Sequence, residues 1–266
     1  MDQGKRWILQ RVSKIGNRFS KKHLKRKKGK IRNNWFWSWV KGGLLANFIE
    51  NPKEESSSII KKLDYIAFDL VDDDKEECLS VLQKIYPDFN NRYFNDINSI
   101  FSHYDKESFD VVLMCNVLHE IDPNQWLSLF SKEGDIPTLL TDHGILLVVE
   151  DQQIPIGEKA YQKGFIVLDT PEIKDVFGIT EQDSDFGYTD AKEDGRLKAH
   201  RIKKEYLCRI TPESRIKSLQ SLNKKAAKNI LKIRKKEINY RNGTKHGFWI
   251  QQLANTTLSL NELTNK

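Results

Sequence analysis

The sequence has little cysteine and no long apolar run, and these absences exclude several classes of protein. Its three cysteines, Cys78, Cys115 and Cys208, lie far apart and form no CxxC pair, so neither a disulfide framework nor a zinc site is indicated. No apolar stretch approaches the roughly 18 to 20 residues that a membrane-spanning helix needs. The basic N-terminus also lacks the apolar core of a secretory signal. We expect an intracellular protein, cytoplasmic or nuclear, without a transmembrane segment or a metal site.

Acidic side chains are scarce at both ends of a chain that is acidic in its middle. Residues 1–32 contain 13 Lys or Arg and one acid, and residues 201–241 contain 14 Lys or Arg and three acids. Residues 33–200 contain 15 basic and 32 acidic side chains. This segregation predicts an acidic folded body whose basic ends meet a polyanion or the body itself.

The N-terminal segment is predicted to be a basic extension over residues 1–34, followed by one domain over residues 35–266. Ile8, Val12, Ile15 and Phe19 have helical spacing, and a Lys/Arg run at 21–32 predicts a flexible arm. The arm is a candidate nucleic-acid contact or a localisation signal. Its candidate contacts are Lys21, Lys22, Lys25, Arg26, Lys27 and Lys28.

Short apolar segments alternate with helical patterns through the middle of the chain. The predicted strands are "YIAFDL", "RYFNDI", "FDVVLMCNVL" and "GILLVVED", with helices around "DKEECLSVLQKIY" and "NQWLSLFSK" between them. The aromatic segment 35–40, "WFWSWV", is a further candidate strand. Alternation over units of about 30 residues predicts an α/β fold with a doubly wound, mostly parallel sheet.

The pattern changes after residue 196. "RLKAHRIKKEYLCRI" alternates as a strand, residues 213–239 have the period of a helix, and "HGFWIQQLANTTLSL" is predicted to be a last strand. The helix carries a basic face, and Lys224, Lys225 and Lys228 on it are further candidate nucleic-acid contacts.

A cluster of polar side chains follows the apolar run 109–115: Asn116, His119, Glu120 and Asp122. Doubly wound sheets bind ligands just beyond the carboxyl ends of their strands, so this exit loop is predicted to border the cleft. His119 or Glu120 could serve there as a catalytic base. Alternatively, His119 is a structural loop histidine, and Glu120 and Asp122 cap the next helix.

From about residue 40 to 260, the order of these motifs resembles the class I, seven-stranded, Rossmann-like methyltransferases that use S-adenosylmethionine. "DYIAFDL" is similar to the second strand of that family, "YFNDI" to the third, "FDVVLMCNVLHEI" to the fourth and "HGILLVVED" to the fifth. The final strand, helix and strand resemble the closing antiparallel hairpin of the family.

The resemblance implies a role for each acid that ends a strand. Asp69 would accept hydrogen bonds from the ribose hydroxyls of the cofactor, Asp96 would hold the adenine amino group, and the Ile97 N–H would meet a ring nitrogen. Asn116 is a further candidate cofactor contact. The structural alternatives are a helix cap at Asp69 and a plain turn at Asp96.

The glycine-rich first turn of the family is only partly present. Gly42 and Gly43 match its second half, whereas the usual acid and first glycine are missing. The resemblance therefore implies either a degenerate first motif or the loss of the first strand.

Methyl transfer is the activity that the resemblance implies. The segment "NVLHE" is similar to enzymes acting on small molecules, proteins or tRNA, and the basic ends favour RNA or an RNA-associated factor as the substrate. The alternative is a catalytically inactive methyltransferase-like module that binds nucleic acid or a protein partner through its basic ends. A protein partner could also complete the site.

Overall fold

A computed structural model of the protein describes residues 33–36, 63–70, 75–152, 165–190 and 197–265. The basic arm, Gly42 and Gly43 lie outside these ranges, as do residues 37–40 of the candidate first strand. For residues 33–36 the description covers the backbone alone.

Strands alternate with helices through the described residues, and two long helices end the chain. The strands are β1 (Asn33–Phe36), β2 (Leu63–Tyr65), β3 (Ala67–Phe68), β4 (Tyr93–Phe94), β5 (Phe109–Cys115), β6 (Leu140–Asp151), β7 (Gly187–Asp190) and β8 (Leu197–Lys203). The α-helices are α1 (Lys75–Gln83), α2 (Ile97–His103), α3 (Trp126–Phe130), α4 (Asp135–Leu139), α5 (Thr170–Val176), α6 (Lys204–Leu207), α7 (Pro212–Ile233) and α8 (Tyr240–Thr264).

Six of the strands form one sheet in the order β2-β1-β5-β6-β8-β7, while β3 and β4 form a parallel pair. Neighbours from β2 to β6 are parallel, and β8 runs antiparallel to both β6 and β7. Only Ile66 separates β2 from β3, so one short stretch of chain pairs first with β1 and then with β4. The predicted α/β class is confirmed.

The centre of the core lies along β5 and β6. Val112 pairs with Leu146 and Met114 with Val148, and all four side chains are fully buried. A strand that is covered on both faces needs apolar residues at successive positions, which explains the run at 109–115. Because β5 and β6 are parallel neighbours, their carboxyl ends lie side by side.

The prediction of a last strand at the C-terminus is wrong, because that segment lies within helix α8. Asn239 caps the helix by accepting a hydrogen bond from the Asn242 N–H. Along α8 the side chains that face the core follow a helical period: Trp249, Gln252, Thr256, Leu260 and Leu263. Two of the five are polar, which hides the period from a hydrophobic pattern.

Two further strand predictions are corrected. The strand that was predicted over 196–210 ends at Lys203, and α6 begins at the next residue. The antiparallel hairpin is formed by β7 and β8, before α7, and the predicted final strand-helix-strand unit is therefore wrong.

A first strand is present, but it begins earlier than the predicted segment 35–40. β1 begins at Asn33 and lies between β2 and β5 in the sheet.

Among the described residues, no helix combines the length and the apolar character that crossing a membrane requires.

Candidate functional site

Two acids lie at one edge of the fold, just beyond the ends of neighbouring strands. Asp69 directly follows β3, and Asp96 comes two residues after the end of β4. These strands are parallel, with Phe68 opposite Phe94, and the Asp69 N–H donates to the Phe94 carbonyl oxygen at 2.9 Å. Asp69 is buried. The two carboxylates that were predicted to bind cofactor are therefore at adjacent strand ends.

Asp96 is the N-cap of α2. Its Oδ2 accepts hydrogen bonds from the backbone N–H and the hydroxyl of Ser99, each at 3.1 Å, and Ile97 is the first residue of the helix. Capping accounts for the position of this acid without a ligand. Each carboxylate oxygen has two acceptor positions, however, so an exposed cap can also accept from a bound amino group.

Asn116 joins the ends of the two central strands. Its backbone N–H donates to the Val149 carbonyl oxygen at 2.7 Å, and its Oδ1 accepts from the Asp151 N–H at 2.7 Å. Its φ of 55° lies in the left-handed region, which asparagine tolerates better than most residues. The chain therefore turns sharply out of β5 while the side chain holds β6 in place.

The exit loop of β5 folds around a buried carboxylate, that of Glu150 near the end of β6. Oε1 of Glu150 accepts from the N–H groups of Val117 at 2.9 Å and Leu118 at 2.8 Å. Its Oε2 lies 2.6 Å from His119 Nδ1. Only 2% of the surface of His119 and of Glu150 is exposed, so the pair is shielded from bulk water.

This geometry selects one form of the imidazole. A carboxylate can only accept, so His119 Nδ1 carries the proton that bonds to Glu150, and the lone pair of the neutral ring is on Nε2. The ring also meets Phe165 edge to face at 5.6 Å between centroids, and the His119 carbonyl oxygen accepts from the Ile166 N–H at 2.9 Å. The Nε2 atom of the ring is itself buried.

The other two acids of the loop have different surroundings. Glu120 is buried at the end of the same short 3₁₀ helix as His119. Asp122 accepts hydrogen bonds from the N–H of Asn124 at 2.9 Å and from its side-chain amide at 3.0 Å. The capping alternative is thus confirmed for Asp122, which begins the 3₁₀ helix Pro123–Gln125.

A buried amide on α8 holds the segment that packs on His119. Gln252 is fully buried, and its side chain accepts from the Val167 N–H at 2.9 Å and donates to the Phe165 carbonyl oxygen at 2.9 Å. Phe165 has a φ of 59°, so the chain is turned in an unusual conformation at this point. No local sequence pattern predicts this role of Gln252, because its partners lie 85 and 87 residues away.

The three lysines on α7 that were predicted to contact nucleic acid have different surroundings in the structure. Lys225 lies 3.1 Å from Asp169 Oδ2 and 3.1 Å from Glu172 Oε2, and it ties α7 to the start of α5. Lys224 and Lys228 are exposed. The six predicted contacts in the N-terminal arm lie outside the described residues.

Asp169, one of the two acids that contact Lys225, has a pKa well below its ordinary value. Burial alone would raise the pKa of Asp169, but the hydrogen bond from Lys198 at 2.7 Å and the charge of Lys225 lower it to about 2. Asp169 therefore stays ionised over the physiological range and links α5, α7 and β8.

No family model and no curated protein matches this sequence. Solved methyltransferases are similar to it in structure. The CurJ carbon methyltransferase has 14% identity and a TM-score of 0.44 over 70% of this chain and 52% of that one. A putative type 11 methyltransferase from Sulfolobus solfataricus has 13% identity and a TM-score of 0.42 over 72% of this chain and 93% of that one.

A third similar structure is phosphoethanolamine N-methyltransferase 2 of Haemonchus contortus, solved with phosphomonomethylethanolamine and S-adenosylhomocysteine. It has 13% identity and a TM-score of 0.40 over 91% of this chain and 50% of that one. The present chain thus spans about half the length of the carbon and phosphoethanolamine enzymes.

Proposed function

We propose that the protein is an S-adenosylmethionine-dependent methyltransferase whose acceptor is RNA or an RNA-associated factor. The observation that carries the proposal is the strand order around β1 and β5. If β2 and β3 are taken as one strand, the sheet has seven strands in the order β4, β2–β3, β1, β5, β6, β8, β7. Its first five positions follow the doubly wound order 3-2-1-4-5, in which ligands bind where the strand order reverses.

That reversal lies between β1 and β5, and candidate functional groups flank it on both sides. Asp69 and Asp96 follow the strands on one side, and the loop with His119 and Glu120 follows β5 on the other. A ligand at this point can reach the acids with one end and the imidazole region with the other. This distribution supports a site for a nucleoside cofactor next to an acceptor.

The described residues fit S-adenosylmethionine. Asp69 offers a buried carboxylate for two ribose hydroxyls, while Asp96 and the Ile97 N–H offer an acceptor and a donor for the edge of adenine. Gly42 and Gly43, the proposed contacts of the methionine part, lie outside the described residues. The cofactor supplies an electrophilic methyl group, and the chain must bind and orient the acceptor.

His119 is the proposed proton acceptor. An acceptor atom that carries a proton must lose it during methyl transfer, and Nε2 of the tautomer fixed by Glu150 is the basic atom. Nε2 is buried in this structure, so an acceptor can reach it only if the residues packed around the ring move. Glu120, on the same 3₁₀ helix, is the second candidate base.

Calorimetry with S-adenosylmethionine tests the proposal. Asp69→Ala should weaken binding by about 1.5 to 3 kcal/mol, because it removes a charged acceptor of two hydrogen bonds. Asp105→Ala, which removes an exposed carboxylate remote from these strand ends, is the matched control and should bind like the wild type. Absence of binding by the wild type at millimolar cofactor would contradict the proposal.

The second candidate is a catalytically inactive module that binds nucleic acid or a protein partner. It is favoured by the hydrogen bonds of Glu150, which connect it to Val117, Leu118 and His119 of the same chain and could serve packing alone. This candidate predicts RNA binding without any affinity for S-adenosylmethionine. The same titrations therefore separate the two.

A further inference from the structure

The far end of the α7–α8 hairpin combines many cations with almost no acid. The two helices run antiparallel, since Asn223 of α7 contacts Thr256 of α8 at one end while Arg234 contacts His246 at the other. We call residues 228–245 the distal surface. It contains seven basic side chains and one acid, Glu237, a net charge of +6. The basic residues are Lys228, Lys232, Arg234, Lys235, Lys236, Arg241 and Lys245.

The cations of the distal surface differ from those of the body in their partners. Several lysines of the body are held by acids: Lys198 by Asp169 at 2.7 Å and Lys174 by Glu181 at 2.8 Å, for example. In the part of the chain that the structure describes, no carboxylate lies within 4.0 Å of any of the seven distal cations. Within the described residues, no carboxylate therefore neutralises their charge through an ion pair.

Packing does not explain the distal surface either. The buried residues of α7 end at Ile230, and those of α8 begin at Gln252. Between them, Ile238 and Tyr240 are almost wholly exposed, at 102% and 79%. A segment in which Ile230 is the one buried residue, and whose seven cations have no carboxylate beside them among the described residues, is suited to an anionic partner.

The spacing of the lysines indicates an elongated polyanion. Lys224, Lys228 and Lys232 are exposed and follow each other at intervals of four residues, so they lie along one side of α7, and the exposed Lys235 lies in the turn just beyond the end of the helix at Ile233. At 1.5 Å per residue, the three lysines on the helix are about 6 Å apart along its axis. Residues 33–200, with 32 acids against 15 bases, repel such a ligand from the rest of the surface.

We infer that the distal surface binds single-stranded RNA, with the lysines on phosphates and Tyr240 stacked on a base. Exposed aromatic rings beside cations are a common platform for unpaired bases. A lipid surface fits less well, because the exposed large apolar side chains at this end are only Leu231, Ile238 and Tyr240. The inference deepens the proposed function, from which it takes RNA as the partner.

Salt-dependent binding of a fluorescein-labelled oligouridylate of about 20 nucleotides tests the inference on the full chain. The variant K228Q/K232Q/K235Q should bind at least ten-fold more weakly, and its log-log salt slope should fall by about 2, at roughly 0.7 for each phosphate that is no longer neutralised. The matched control K84Q/K106Q/K132Q removes the same charge from exposed body lysines and should keep both values.

Tyr240 supplies a second comparison. Y240A should bind about five-fold or more weakly, whereas Y240F, which keeps the ring, should bind normally. Equal effects of the distal and body triple variants would overturn the inference, as would absence of RNA binding by the wild type. Binding of phosphatidylserine vesicles, but not RNA, through the same lysines would overturn it too and assign the surface to lipid instead.

Failure of this inference can be distinguished from failure of the proposed function. All of these variants lie far from Asp69 and Asp96 along the chain or on its exposed surface, and they should bind S-adenosylmethionine like the wild type. Weakened RNA binding with cofactor binding intact assigns the effect to the distal surface.

Discussion

At the scale of single residues, the pair of His119 and Glu150 is the most informative feature of the molecule. One carboxylate accepts two backbone N–H groups and an imidazole N–H, and thereby sets both the shape of the β5 exit loop and the tautomer of the histidine. The shape of the loop and the proposed role of His119 as a base thus depend on the same three hydrogen bonds. A substitution that keeps the shape but changes the hydrogen-bonding pattern can separate the two roles.

Glu150→Gln is that substitution. The amide oxygen can still accept from Val117 and Leu118, but the amide NH₂ then faces His119 Nδ1 and forces the proton onto Nε2. We expect the rate of methyl transfer to fall about 100-fold or more, with little change in cofactor affinity. Glu181→Gln, on the exposed surface, is the control. A normal rate in E150Q would show that Glu150 has only a structural role.

Asp169 allows a prediction about acid stability. Its pKa is lowered from 3.8 to about 2 in the folded protein, so ionised Asp169 stabilises the fold above pH 4, and this contribution is lost as the pH falls from about 4 to about 2. The contribution is about 2 kcal/mol. Urea unfolding over this range should show a shallower decline in stability for Asp169→Asn than for the wild type. Asp105→Asn, an exposed control, should follow the wild type.

Part of the site could be predicted residue by residue. Asp69, Asp96 and His119 follow apolar strands closely, and the sequence alone places them at strand ends. Glu150 could not be assigned, because its contacts join two parallel strands across 31 to 33 residues. The sequence does not distinguish Lys225 from its neighbour Lys224. In the fold, however, Lys225 forms ion pairs with Asp169 and Glu172 at the start of α5.

At the scale of elements, prediction succeeded where one local period dominates. β5 and α7 each show a clear apolar pattern: β5 lies where that pattern predicts it, and α7 begins at Pro212 but ends at Ile233, six residues before the predicted end at 239. The prediction for the segment of α8 was wrong because the two fully buried side chains of this helix are Gln252 and Thr256, while Ile250 and Leu258 are exposed. Aromatic and β-branched residues then favoured a strand. Gln252 is buried through polar contacts with the chain at 165–167, which no local pattern reveals.

Gln252 tests the importance of those contacts. Gln252→Leu should lower the free energy of unfolding by about 2 to 4 kcal/mol, since it leaves the Phe165 carbonyl and the Val167 N–H buried without this partner. Urea unfolding measures the effect. Gln251→Leu changes the neighbouring, half-buried glutamine in the same way and should cost far less. Equal effects would mean that α8 is held by its apolar contacts alone.

At the scale of the whole molecule, charge is divided between an acidic body and basic ends. The distal surface is one basic end, and residues 1–32, with 13 Lys or Arg, are the other. Because β1 begins at Asn33, removal of residues 1–32 leaves every described strand and helix in the chain. The contribution of the arm to binding can therefore be measured separately from the fold.

Deletion of residues 1–32 should weaken RNA binding and lower its salt slope by several units, because each phosphate that the arm neutralises contributes about 0.7 to that slope. The free energy of unfolding should stay close to that of the full chain. Anisotropy titrations at several KCl concentrations and urea unfolding provide the two measurements, with K228Q/K232Q/K235Q as the comparison for the other basic end. If the salt slope and the affinity stay unchanged, the arm serves localisation or a protein partner. One of the two basic ends of the chain then no longer supports RNA as the substrate.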